Sequence, residues 1–179
     1  MKVINLFGVP GVGKSTGAAY IFSQLKMLGK NVELVTEFAK DKVYEENESV
    51  FKNQAYIFGK QSFKMSRCKD KVDYIVTDSP LLLSALYNSE PVLGELFNDV
   101  VNNVFQSYNN LNFLLLRVKP YDLSGRLQTE KESNDLVKPL KEILKHYHIN
   151  YLLYNGDKQG YDEIIKYILM HEGDKNDRC

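Results

Sequence analysis

The sequence predicts an α/β fold, an open three-layer sandwich in which a five-stranded parallel sheet is covered by helices on both faces. Three observations predict it. Five apolar segments of strand length recur along the 179 residues: KVINLF (2–7), NVELVT (31–36), VDYIVT (72–77), LNFLLLRV (111–118) and INYLLY (149–154). The stretches between them read as helix, as the crossovers between parallel strands require. The first strand runs into a glycine-rich turn, GVPGVGKST (8–16), and from there directly into a helix.

Val3, Ile4, Leu6 and Phe7 form an apolar, partly β-branched run too short for a helix and suited to a buried parallel strand. After the turn, Ala18, Ala19, Ile21, Phe22, Leu25 and Leu28 recur at helical spacing over 14–28, and Gly29 supplies a stop. The second strand ends on Glu37, and a helix is expected over about 49–69. The third strand closes on Asp78 and leads to a helix pair over 80–88 and 91–108. The fourth ends near Arg117 and opens into a polar connection without apolar period, RVKPYDLSGRLQTEKES (117–133). A helix over 135–147, the fifth strand, the turn Asn155-Gly156-Asp157 and a helix over 160–171 complete the series. The expected organisation is one domain over 1–172, with a lid at about 119–134 and a polar tail over 173–179.

Lys and Arg total 23, as do Asp and Glu, so the net charge is zero and argues against a dedicated nucleic-acid binder. Cys68 and Cys179 lie far apart with no metal spacing and read as free thiols. The apolar runs fall short of the roughly 20 residues of a membrane span, and no charged-then-apolar leader is seen. These features predict a cytoplasmic protein without a membrane partner, and leave its oligomeric state open.

Gly8-x-x-x-x-Gly13-Lys14-Ser15 has the Walker A form, and it lies between strand and helix as its mechanism requires. The expected phosphate cradle is Gly8, Val9, Pro10, Gly11, Val12, Gly13, Lys14, Ser15 and Thr16. Lys14 reaches the β- and γ-phosphates, and the Ser15 hydroxyl ligates Mg²⁺. In an open parallel sheet ligands gather beyond the carboxyl ends of the strands, which selects the next residues. Asp78, an acid closing an apolar strand, suits the Mg²⁺ shell or proton transfer; the alternative is a helix N-cap before Pro80. Glu37 would face the acceptor as binder or general base; otherwise it is an ordinary helix-start acid.

In the lid, Arg126 is the candidate for neutralising charge on the transferring phosphoryl group, followed by Arg117 and Lys131. Arg117, Asn155 and Gly156 are expected on the donor nucleotide. Phe51, Tyr56, Phe58 and Phe63, with Gln54 and Gln61, would suit a pocket that stacks a planar base and reads its edge; the alternative for each aromatic is core packing. From this stretch and the strand-two edge, the expected substrate contacts are Glu37, Phe38, Tyr56 and Gln61.

With these residues the chain resembles the P-loop nucleoside and nucleotide kinases, and among them the NadR-like AAA ATPase/kinase group. That group includes the ribosylnicotinamide kinase domain of NadR-type proteins and many small phage-encoded ATPases. GVPGVGKST carries the loop, and LVTEFAKD resembles the group's strand-two ending of an acid, an aromatic and a small residue. YIFGKQSFK resembles its glutamine-bearing helix, IVTDSPLLLSALY its strand-three acid, and LRVKPYDLSGR its lid approach. The resemblance implies a five-stranded parallel core of order 2-3-1-4-5, a P-loop NTPase fold with a lid, a nucleoside triphosphate donor and Mg²⁺. It also implies transfer to a hydroxyl or phosphate near the strand-two acid.

One departure bears on the acceptor. The chain holds four arginines, Arg67, Arg117, Arg126 and Arg178, and Ser79-Pro80 follows Asp78 where many nucleotide kinases carry an arginine. An arginine clamp is the usual holder of a doubly charged phosphate, so a neutral hydroxyl acceptor is favoured, with lysine an available substitute. The expected function is transfer of the ATP γ-phosphoryl group to a nucleoside-type small-molecule hydroxyl. The alternatives are a nucleoside monophosphate or DNA hydroxyl as acceptor, and an ATPase switch acting through a protein partner.

Overall fold

In the computed structural model, residues 1–44, 48–123 and 128–171 are described. Five strands form one parallel sheet: β1 (Lys2–Phe7), β2 (Val32–Val35), β3 (Tyr74–Thr77), β4 (Asn109–Leu116) and β5 (Leu152–Asn155). Their order is β2-β3-β1-β4-β5, the 2-3-1-4-5 arrangement expected. β1 is central, with Ile4 level with Val76 of β3 and Leu111 of β4. Because both faces of such a sheet are covered, apolar side chains occupy consecutive positions, and Val3, Ile4, Leu6 and Phe7 are all fully buried.

The helices are α1 (Lys14–Met27), α2 (Phe38–Tyr44), α3 (Gln54–Ser66), α4 (Leu83–Leu86), α5 (Gly94–Gln106), α6 (Glu130–Asp135), α7 (Val137–His146) and α8 (Lys158–Met170). The two faces of the sheet can be read from ring contacts. Phe7 meets Phe105 of α5 at 6.0 Å, whereas Phe113, level with Leu6 on the opposite face, meets Tyr167 of α8 at 5.7 Å. On that second face α8 packs beside α1, where the Tyr20 hydroxyl donates to Asp162 at 2.7 Å.

The single helix expected over 49–69 is divided. A 3-10 turn (Glu48–Lys52) precedes α3, and the break falls at Asn53, whose side chain accepts the Tyr56 N–H at 2.9 Å. Asparagine is a strong N-cap, and it restarts the helix there. Inside the expected lid stands α6, opened by a reciprocal capping box between Thr129 and Glu132. The T-x-x-E spacing that signals this box is present in the sequence, but the absence of an apolar period masked it. No helix among the described residues is long and apolar enough to cross a membrane.

The start of α1 is fixed from α8. Gly13 caps it at φ 97°, in the left-handed region that favours glycine. The Gly13 carbonyl accepts the Tyr161 hydroxyl at 2.9 Å. One turn on, the Tyr161 ring lies 2.6 Å from where a Cβ on Gly17 would stand, and Tyr161 is only 2% exposed, so it has no room to retreat. Gly17→Ala is therefore expected to cost about 1–3 kcal/mol of stability through overpacking. Tyr161→Phe, which loses one hydrogen bond and little volume, should cost about 1 kcal/mol. Urea denaturation of the two variants checks the order.

Candidate functional site

The carboxyl ends of β1, β2 and β3 open into a cavity of about 420 Å³. Its floor is the turn between β1 and α1, with Pro10, Gly11, Gly13, Lys14, Ser15 and Thr16 in the lining. Glu37, Ala39, Lys40 and Val43 line it from the β2 end and α2. Phe51, Gln54 and Ile57 form a second wall; Ser79, Leu83, Ser84 and Tyr87 form a third, with Gln128 at the rim. Lys14, Ser15 and Glu37, from two separate strand ends, thus share one space.

Asp78 lies behind this wall and does not line it. Its carboxylate, 3% exposed, accepts the Glu37 backbone N–H at 3.0 Å. Asp78 is therefore not the N-cap that Pro80 suggests, for α4 begins only at Leu83 and the carboxylate points to the β2 end. Lys14 donates its ammonium to the carbonyls of Gly8 and Val9 at 2.8 and 3.2 Å, which places its charge over the loop.

The loop is braced from the β4 and β5 side. The Arg117 guanidinium donates to the Pro10 carbonyl at 2.9 Å, to Ser133 Oγ at 2.5 Å and to Asn134 Oδ1 at 2.8 Å. Its face covers the Tyr121 ring at 4.9 Å, and the Ser133 hydroxyl also donates to Pro10 at 2.8 Å. Gly156 donates its N–H to Leu116 at 2.8 Å, and a Cβ on it would stand 1.8 Å from the Val12 carbonyl oxygen. Arg117, Asn155 and Gly156 consequently gather on the side of the loop away from Glu37. Arg126 falls outside the described residues.

Phe38, Tyr56 and Gln61, expected at the acceptor, do not line the cavity. Phe38 packs edge-on against Tyr56 at 5.6 Å, and Lys60 lies over Tyr56 at 5.4 Å. Gln61, 3% exposed, spends its amide on backbone: Oε1 accepts from Phe38 N at 2.9 Å and Nε2 donates to Thr36 O at 3.4 Å. The glutamine that faces the cavity is Gln54, two helical turns earlier; it is 5% exposed, and its side chain has no hydrogen-bond partner among the described residues. The buried face of α3 is Gln54, Ile57, Gln61 and Met65, so the sequence spacing finds both glutamines but not which end of the helix meets the cavity.

Tyr87 is a further lining residue that the sequence reading passed over. Burial, then the charge of Glu37 and the neighbourhood of Tyr121, push its phenol well above the ordinary value, so it remains a protonated donor. For Mg²⁺, no group of three or more acidic, His or Cys side chains clusters among the described residues. An ion held by one or two protein oxygens plus phosphates and water needs no such cluster, and Ser15, in the first turn of α1, and Asp78, next after β3, are the oxygens that could serve it.

No protein-family model and no curated protein matches the chain. Among solved structures it is similar to deoxyadenosine kinase from M. mycoides, at 23% identity in each of two complexes. The complex with dATP has a TM-score of 0.58 and covers 95% of this chain and 100% of that one. The complex with dCMP and a flexible dCDP has a TM-score of 0.53, covering 95% and 97%. It is also similar to the YorR protein from Bacillus subtilis in complex with phosphorylated GDP, at 18% identity, a TM-score of 0.56 and 94% coverage of each chain.

Gln61→Leu should leave the Phe38 N–H without its acceptor, at a cost of about 1–3 kcal/mol. Hydrogen–deuterium exchange is expected to quicken at 36–38 while α1 is unchanged. The likeness to these solved structures is one of fold, and the chain shares with them a five-stranded parallel α/β fold of order 2-3-1-4-5.

Proposed function

We propose that the protein is a Mg²⁺- and ATP-dependent kinase that transfers the γ-phosphoryl group to a hydroxyl of a nucleoside-type acceptor. The observation that carries this reading is the shared cavity, in which Glu37 faces the same space as Lys14 and Ser15. The Walker A motif supports the same class of ligand, as do the solved structures of like fold, a deoxyadenosine kinase with dATP or with dCMP and dCDP and the YorR protein with phosphorylated GDP.

The acceptor lies between the α2 and α3 walls, with Gln54 at the edge of its planar base and Phe51, Ile57 and Leu83 along its apolar faces. Glu37 takes the proton of the acceptor hydroxyl. The freed oxygen bonds to the γ-phosphorus, the bond from that phosphorus to the β–γ bridging oxygen breaks, and ADP leaves with that electron pair. Lys14 stabilises the charge gathering on the transferring group, and the loop amides hold the donor in line. Ser15, with Asp78, would hold Mg²⁺, which would supply neutralisation of phosphate charge. Asp78 also positions Glu37 through the backbone N–H it accepts, and Arg117, Asn155 and Gly156 hold the donor nucleotide's far side. Arg126 supplies the lid charge that the sequence pattern assigns it.

Lys14→Ala is expected to lower kcat by about 10²–10³-fold in a protein that still unfolds cooperatively. Glu37→Gln should lower kcat by about 10²-fold or more while ATP affinity changes by less than about threefold. Steady-state assays with ATP titration, beside equilibrium nucleotide binding, separate the two. Wild-type turnover in Glu37→Gln would leave Glu37 without a role as base.

A further inference from the structure

Four lysines surround the strand-two edge, and three are engaged away from the cavity. Lys64 donates to the Thr36 carbonyl at 2.7 Å, Lys42 lies over the Phe38 ring at 5.5 Å, and Lys60 over Tyr56 at 5.4 Å. The fourth, Lys40, is half-buried and lines the cavity. Among the described residues it has no hydrogen bond, ion pair or ring contact. Glu37, the residue just before α2, lines the same cavity three positions earlier.

The half-buried ammonium of Lys40 shares the cavity with Ala39, Val43 and Phe51 and gains an electrostatic partner when an anion enters. Glu37 works in the opposite sense. Its carboxylate repels an anion next to it and suits a neutral hydroxyl. The wall thus presents a site for a hydroxyl and, one turn on, a site for negative charge. Gln54, buried and without a side-chain partner among the described residues, adds a donor and an acceptor for a planar base.

We propose that Lys40 is a specificity-determining residue that binds a phosphate on the acceptor, so that the preferred acceptor is a nucleoside phosphate with a free hydroxyl rather than an uncharged nucleoside. This rests on the kinase reading above and extends it. It also accounts for the shortage of arginines, since one point charge is enough to select a phosphate that does not itself react. A free nucleoside monophosphate and the hydroxyl end of an oligonucleotide share this chemistry. The cavity volume of about 420 Å³ suits the former.

The test compares kcat/KM for a nucleoside, its 3′- and 5′-monophosphates and a dinucleotide with a free 5′-hydroxyl. It uses the wild type, Lys40→Met and Lys40→Arg. For the wild type one phosphorylated acceptor should exceed the nucleoside by about tenfold or more, and the dinucleotide arm tells the free nucleotide from a polymer end. In Lys40→Met that ratio should fall by about tenfold, through KM, and Lys40→Arg should restore most of it. A wild-type preference for the uncharged nucleoside, or an equal loss on all acceptors in Lys40→Met, overturns the proposal. Calorimetric titration of the nucleoside monophosphates without ATP judges Lys40 independently of turnover. If no acceptor is phosphorylated, the kinase reading fails; weaker monophosphate binding by Lys40→Met, with nucleoside binding less affected, would still support the phosphate site, and equal binding by both proteins would overturn it.

Discussion

The carboxylate of Asp78 accepting the Glu37 N–H at 3.0 Å ties together two strand ends that the sheet alone would leave independent. β2 and β3 pair only as far as Val35 and Thr77, so this bond carries the alignment past the last rung of the ladder. From the α3 side, Gln61 holds the next two points of the same segment, the Thr36 carbonyl and the Phe38 N–H. Three successive residues are thus fixed by two buried side chains. The direction of Glu37 and Lys40, and with it the character of the cavity, depends on that fixing. Burial makes the arrangement stringent, because an unmet hydrogen bond there has no water to replace it.

The glycine-rich turn is held with the same economy from the opposite side. Its carbonyls are the anchoring points: Pro10 for Arg117 and Ser133, Gly13 for Tyr161, Gly8 and Val9 for Lys14. Four carbonyls of the turn are thus taken up by side chains, which fixes the backbone that, on the proposed reading, receives phosphate.

The strand–loop–helix context of the turn and the burial of β1 were legible in the sequence, because consecutive apolar positions and glycine spacing report backbone environment directly, whereas the strand order came only from the family resemblance. The cavity wall formed by α2 and α3 was legible only in outline. Periodicity placed Gln54 and Gln61 on one face of α3 without telling that Gln61 is consumed by backbone and Gln54 is not. The aromatics Phe38 and Tyr56 pair with each other, whereas Phe51 and Tyr87 line the cavity, a distinction set by tertiary packing. Lys40 carries no signal in the sequence that sets it apart from Lys42, Lys60 and Lys64, because the engagement of those neighbours is a property of the fold. Asn53 and Thr129, by contrast, are caps of a type that sequence alone can signal, lying where no apolar period marks a helix start.

On the proposed reading, the cavity joins donor and acceptor for direct phosphoryl transfer. The most direct test is to incubate the protein with Mg²⁺ and γ-labelled ATP, with and without a panel of nucleosides and nucleoside monophosphates, and to follow ADP and labelled product together. The account predicts that ADP release depends on acceptor and that label appears in the acceptor in equal amount. ADP released at the same rate without any acceptor, with the label recovered as free phosphate, would contradict it.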